Sequence, residues 1–214
     1  MSEFWRKCRL FLAKFFDYEW GGKSDNDIRW TVELLDYAFE GGKFSPNPNA
    51  YPNCQGVVVW INPDSSAPVG DRVYVLLFGH ERLCYSDEYY GHGADTDADD
   101  GRANTKKLIE YGKEHNIRFP AAEYAYNYCK NGVKRGDAFL PAINQLKHIN
   151  NSGFMYEVAD RVEYFDEYLC TSDNLLSSTA SDWSDVCSAN LRKGLVDNEG
   201  GRSNIYLVCA FITY

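Results

Sequence analysis

The 214-residue chain has no apolar run long enough to cross a bilayer. Its start, Phe4-Trp5-Arg6-Lys7-Cys8-Arg9-Leu10-Phe11-Leu12, carries charges where a secretory signal needs an unbroken apolar stretch, and no small-residue cleavage site follows. Synthesis without an export signal is the expectation from this. Basic residues are in deficit, with 22 Lys and Arg against 31 Asp and Glu and a formal charge of −9. That balance excludes sequence-independent nucleic-acid binding, which needs a cationic surface to displace phosphate counterions. The seven cysteines, Cys8, Cys54, Cys84, Cys129, Cys170, Cys187 and Cys209, include no C-x-x-C pair and so give no zinc signature. An odd count leaves at least one thiol unpaired in a monomer, and reduced thiols are expected.

Catalytic signatures are equally sparse. No nucleophile elbow occurs, and His80, His92, His115 and His148 lie in unrelated contexts. Gly200-Gly201 lacks the lysine and following helix of a phosphate loop. Ser177-Ser178-Thr179 reads as hydroxyls bonding backbone at a strand end rather than as a nucleophile. A non-enzymatic protein is the expectation, with no cofactor unless a structural calcium ion is bound.

What is present is aromatic and turn-rich. Sixteen tyrosines supply rigid amphipathic contact area suited either to recognition or to packing. Phe4, Cys8, Phe11, Leu12, Phe15 and Phe16 repeat at helical spacing, and after Gly21-Gly22 a second helix is expected with Ile28, Val32, Leu35 and Phe39 on one face, ended by Gly41-Gly42. Residues 1–44 thus read as an N-terminal amphipathic helical hairpin that covers its own domain, a partner subunit or a membrane surface. Three prolines and three asparagines between Ser45 and Asn53 make residues 45–53 a connector. Strands are expected at Val57–Ile61, Arg72–Phe78, Asn174–Thr179, Asp185–Leu191 and Ile205–Thr213. Helices are expected at 102–114, 120–131, from Pro141 to Asn150 and from Tyr156 to Tyr168. The last strand is apolar throughout, as a strand buried on both faces would be. Asp197-Asn198-Glu199-Gly200-Gly201 reads as a turn.

Two segments carry the candidate contacts. Between Cys84 and Gly101 the chain is acidic and aromatic, with Tyr89, Tyr90 and His92 as candidate ligand contacts and Asp95, Asp97 and Asp99 at the alternate spacing that suits calcium. The other reading of those aspartates is a solvated turn that caps the next helix through Asp100, Asn104 or Thr105. From Ser181 to Glu199, Trp183 stands with Asp182, Asp185, Asn190 and Arg192. Its indole either stacks on a sugar ring, anchors a protein contact or plugs the lower core.

Several phrases share an order with a known family. Gly56-Val57-Val58-Val59-Trp60-Ile61-Asn62-Pro63-Asp64, the acidic turn Gly93-Ala94-Asp95 through Thr105, Ala121-Ala122-Glu123-Tyr124, Ala138-Phe139-Leu140-Pro141, Leu175-Leu176-Ser177-Ser178-Thr179 and Tyr206-Leu207-Val208-Cys209-Ala210-Phe211 together resemble the collagen-like adhesin C-terminal domain family. That family is a branch of the C-type-lectin-like fold, remotely related to formylglycine-generating enzymes. Residues 54–214 carry the resemblance. It implies an α+β, C-type-lectin-like mixed domain acting as a binding or adhesion module, with a surface glycan, protein ligand or partner subunit as its contact. A homo-oligomer or a larger assembly, joined through the N-terminal helices, is also expected. A virion component is the reading suggested by the missing signal; a purely structural virion subunit, a bacterial cell-surface adhesin and a formylglycine-generating-type enzyme are the alternatives.

Overall fold

The computed structural model describes residues 32–64, 66–68, 70–88, 96–150, 155–163, 173–182, 184–190, 193 and 195–214. The first helix and the start of the second helix expected at the N-terminus lie outside them.

The last strand is the axis of the fold. β8 (Tyr206–Thr213) lies between β4 (Val73–Leu83), to which it runs antiparallel, and β5 (Leu175–Ala180), to which it runs parallel. Leu207, Cys209 and Phe211 enter one core, while Tyr206, Val208, Ala210 and Ile212 enter the other. Alternate residues of a strand point to opposite faces, so an unbroken apolar run needs cover on both.

Four described helices give that cover. α1 (Gly101–His115) and α2 (Pro120–Asn127) pack on the face of Val75, Leu77 and Val208, and α3 (Ile143–Asn150) and α4 (Met155–Glu163) on the face of Leu76, Phe78 and Phe211. With β1 (Tyr37–Phe39), β2 (Lys43–Ser45), β3 (Cys54–Ile61), β6 (Asp185–Asn190) and β7 (Leu195–Gly201), the described residues form one mixed eight-stranded sheet in the order β2-β1-β3-β4-β8-β5-β6-β7. The architecture is α+β: one sheet with a helical pair on each face.

Local chemistry sets the helix ends. Asp100 Oδ1 accepts the Ala103 N–H at 2.9 Å to start α1, and Asn116 stops it in the left-handed conformation with its N–H returned to Gly112 O. Pro120 opens α2, which ends at Asn127 rather than 131 because Tyr128 turns extended and its hydroxyl donates to Phe78 O at 2.6 Å. α3 begins at Ile143 and not at Pro141. Phe139 bridges to Phe211 in the sheet, and Pro141 O accepts the Ser178 N–H at 2.7 Å, which holds the intervening segment extended.

Three expectations are corrected. The second N-terminal helix does not reach Phe39: Leu35 has φ of 72°, and Tyr37–Phe39 pairs with β2 and β3 as a strand. Gly41 and Gly42, at φ of 82° and 72°, turn the β1–β2 hairpin instead of ending a helix. Residues 46–53 carry the chain from β2 past β1 to β3, so the segment joins strands of one sheet rather than two bodies. The expected turn at Asp197–Gly201 is the sheet-edge strand β7, paired with β6 from Asp185↔Gly201 to Asn190↔Leu195. An edge strand is recruited by backbone pairing alone, so no apolar alternation announced it.

Candidate functional site

β3 and β4 place the first wall of the site. The register shifts between Val58 and Trp60, which brings Trp60 to the same core as Val57 and Val59 and sets it opposite Tyr74. A bulge re-aims a side chain in this way. The Trp60 and Tyr74 rings lie 4.6 Å apart, tilted by 41°.

α3 supplies the second wall. Leu146 and Ile149 face the core, which turns Gln145 and His148, three residues apart, toward Trp60 and Tyr74. The exposed His148 ring stacks on the Trp60 indole at 4.9 Å and 24°. Gln145 is buried and tied on three sides: Oε1 accepts the N–H groups of Ala142 at 2.8 Å and Gly101 at 3.2 Å, and Nε2 donates to Tyr74 Oη at 3.4 Å. Burial, partly offset by the Gln145 amide, pushes the Tyr74 phenol above its ordinary value. It therefore remains a hydroxyl donor across neutral pH.

The rim is polar. Asp99 Oδ1 accepts Asn144 Nδ2 at 2.7 Å, and Asn62 is fixed by the Asp64 N–H at 3.0 Å and by Asp71 O at 3.2 Å. Together these residues and Pro63 enclose a cleft of about 360 Å³ with three aromatic rings, two amides and one carboxylate, and without a lysine or arginine. This composition suits a neutral ligand rich in hydroxyls: rings offer apolar faces, and amides and a carboxylate offer hydrogen bonds. Among the described residues, no serine, threonine, cysteine or lysine lines it.

The acidic turn serves the same neighbourhood. Asp97 Oδ1 accepts the Asp99 N–H at 2.6 Å, while Asn104 donates to Asp97 O at 2.6 Å and accepts its N–H at 2.7 Å. With Asp100 on the helix end, Asp97 and Asp99 thus brace α1 and α3. Asp95 lies outside the described residues. Among the described residues, no group of three or more His, Cys, Asp or Glu side chains is gathered to hold a metal ion.

Of the described candidates near β6, Asn190 is set apart from Asp182 and Asp185. Asp182 Oδ1 accepts the N–H groups of Ser184 at 2.7 Å and Asp185 at 2.8 Å, and these bonds, that of Ser184 first, hold its carboxyl below the usual range. Asn190 is buried at the other end of the strand, where it bonds Asn174 and Lys193. Five residues of strand separate Asp185 from Asn190 by roughly 17 Å. Trp183, Arg192, Tyr89, Tyr90 and His92 lie outside the described residues. Beside Asp182, Arg202 is buried with Nη2 on Asp182 O and its guanidinium 5.5 Å over the Tyr85 ring; among the described residues, its Nε and Nη1 have no hydrogen-bond partner.

Burial works against thiolate formation at three of the five described cysteines. All five described cysteines are free, and burial pushes the Cys54 thiol up to about 12 and raises those of Cys187 and Cys84. In the Ser177–Thr179 run, Ser177 Oγ accepts the Thr179 N–H at 3.0 Å and Ser178 Oγ accepts Asn104 Nδ2 at 3.1 Å. These hydroxyls are structural.

Sequence reasoning passed over Trp60, Tyr74, Gln145 and His148. Two signals were available: a tryptophan ending the apolar run Val57-Val58-Val59 just before Asn62-Pro63, and a Gln145–His148 pair at helical spacing between core positions. Only folding brings the two together.

No family model and no curated protein matches the chain. Among solved structures, a fimbrial protein from Bacteroides ovatus ATCC 8483 is similar, with a TM-score of 0.61 and 15% sequence identity over 86% of this chain and 49% of that one. The chain thus spans about half the length of the fimbrial protein, and at this identity the likeness is one of fold. Among the described residues, no helix is long and apolar enough to cross a membrane.

Proposed function

We propose that this chain is a non-catalytic binding module of the adhesion type, carried in a protein assembly on a bacterial cell surface, and that the Trp60–Tyr74–His148 cleft receives a neutral sugar of a surface glycan. The observation that carries the reading is the lining of that cleft, with three rings beside two amides and a carboxylate and no cation. An aromatic wall stacks on the apolar face of a sugar ring while fixed polar groups choose among its hydroxyls. The fold likeness to a fimbrial protein and the adhesin resemblance of the phrases from Cys54 onward both support this setting over a virion. The lectin-type role implied by that resemblance enters the proposal through the cleft rather than through the segment around Trp183.

A neutral-glycan array followed by calorimetry on the best ligand tests it. Trp60→Ala is expected to weaken binding at least tenfold, roughly the 1.4 kcal/mol of one stacked ring, whereas Trp183→Ala leaves it unchanged. Loss of binding in Trp183→Ala with none in Trp60→Ala would move the contact surface to the 181–199 segment. Absence of any glycan ligand would leave the chain a structural subunit.

A further inference from the structure

A second cavity, of about 350 Å³, opens on the opposite face of the sheet between the end of α1 and α2. Its origin is the reversal after α1. Asn116, at φ of 56°, turns the chain back so that the Ile117 N–H reaches Gly112 O at 3.0 Å, and a Cβ on Gly112 would lie 2.5 Å from Ile117 O. Leu108 and Phe119, both buried, form the floor; Ile109, Ile117 and Tyr126 are half-buried walls.

The mouth is cationic in a chain of net charge −9. Lys113, Arg118 and Arg135 stand around it with a single carboxylate, Glu123, which Arg118 Nη2 already engages at 2.7 Å. Arg135 lies 5.4 Å over the Tyr126 ring, a contact that holds the guanidinium at the rim and leaves its donors free of a carboxylate. Among the described residues neither Arg135 nor Lys113 has an acidic partner. An apolar floor beneath two uncommitted cations complements an anion with an apolar body. The volume is near the lower end of the roughly 300–1,000 Å³ of ligand pockets, which suits one small molecule rather than a polypeptide.

We propose that this cavity is a binding site for a small amphipathic carboxylate, its acyl or aromatic body between Ile109 and Tyr126 and its carboxylate held by Lys113 and Arg135. Nothing in the glycan cleft takes part, so the two sites stand or fall separately.

Two naphthalene probes test the site, the anionic anilinonaphthalene sulfonate and the neutral N-phenylnaphthylamine, titrated by fluorescence into the whole chain. Saturable binding of the sulfonate at one site is expected, displaced by octanoate and not by octanol. Both cations are exposed, so the double variant Lys113→Gln/Arg135→Gln keeps the fold, as an unchanged melting temperature checks. It is expected to weaken the sulfonate at least tenfold, since it removes two charge-assisted hydrogen bonds of which one alone is worth about that factor, and to leave the neutral probe unaffected. Lys106→Gln, on an exposed position of α1 away from the cavity, changes neither. Equal displacement by octanol, no saturable site, or a double variant that binds the sulfonate as wild type does would overturn the proposal.

Discussion

Gln145 joins three parts of the fold, and replacing it by leucine isolates what that junction contributes. Its Oε1 takes two buried N–H groups, of Gly101 in the first turn of α1 and of Ala142 just ahead of α3, and its Nε2 meets Tyr74 on β4. In Gln145→Leu both donors lose their acceptor at a position that is only 8% exposed. Each orphaned donor costs about 1–3 kcal/mol, so the gross loss is about 2–6 kcal/mol. The added apolar burial of leucine returns about 1 kcal/mol, and the long Tyr74 contact adds little. The unpaired donors win, with a net destabilisation of about 1–5 kcal/mol. For a domain of this size that lowers the melting temperature by about 2–20 °C. Urea titration with an unchanged m-value measures it, and glycan affinity should fall in parallel because Tyr74 loses its support. A loss under about 1 kcal/mol would show that water reaches both donors and that the junction is not a closed one.

Gly56 tests the β3–β4 contact: a Cβ there would lie 2.1 Å from Leu76 O, so Gly56→Ala must push backbone apart. The expected cost is at the top of the overpacking range, about 3 kcal/mol or more, and a denaturation midpoint close to wild type would refute the strand spacing. High pH tests the buried acids. Burial pushes the Cys54 thiol and the Tyr214 phenol up to about 12 and raises that of Tyr85 further. A raised folded-state value means the fold holds these protons more tightly than the unfolded chain. Their contribution is therefore whole below pH 9.0, the ordinary thiol value, and is lost as pH climbs toward about 12. Urea midpoints at stepped pH should decline across that window; a flat profile would mean that water reaches these groups.

The strands and helices that were legible carried their pattern in their own side chains. β8 declared itself by an apolar run that only a two-faced core can hide, and α1 by the acidic turn whose Asp100 caps it. β1 and β7 were not legible, for opposite reasons. Tyr37–Phe39 is three residues inside an apolar spacing that also fits a helix, and the choice fell to pairing with β3, a partner fifteen or more residues away. Leu195–Gly201 is polar and glycine-bearing, a turn by composition, yet β6 offers it a ladder.

The sequence by itself determined an acidic, aromatic, α+β chain with its terminal strand at the centre. Those follow from composition and from periodicity within a segment. The tertiary structure alone decided where ligands can sit. Trp60, Tyr74, Asp99 and His148 come from a strand end, a second strand, a turn and a helix, and no local pattern links residues whose only relation is that a bulge and a helix face aim them at one space.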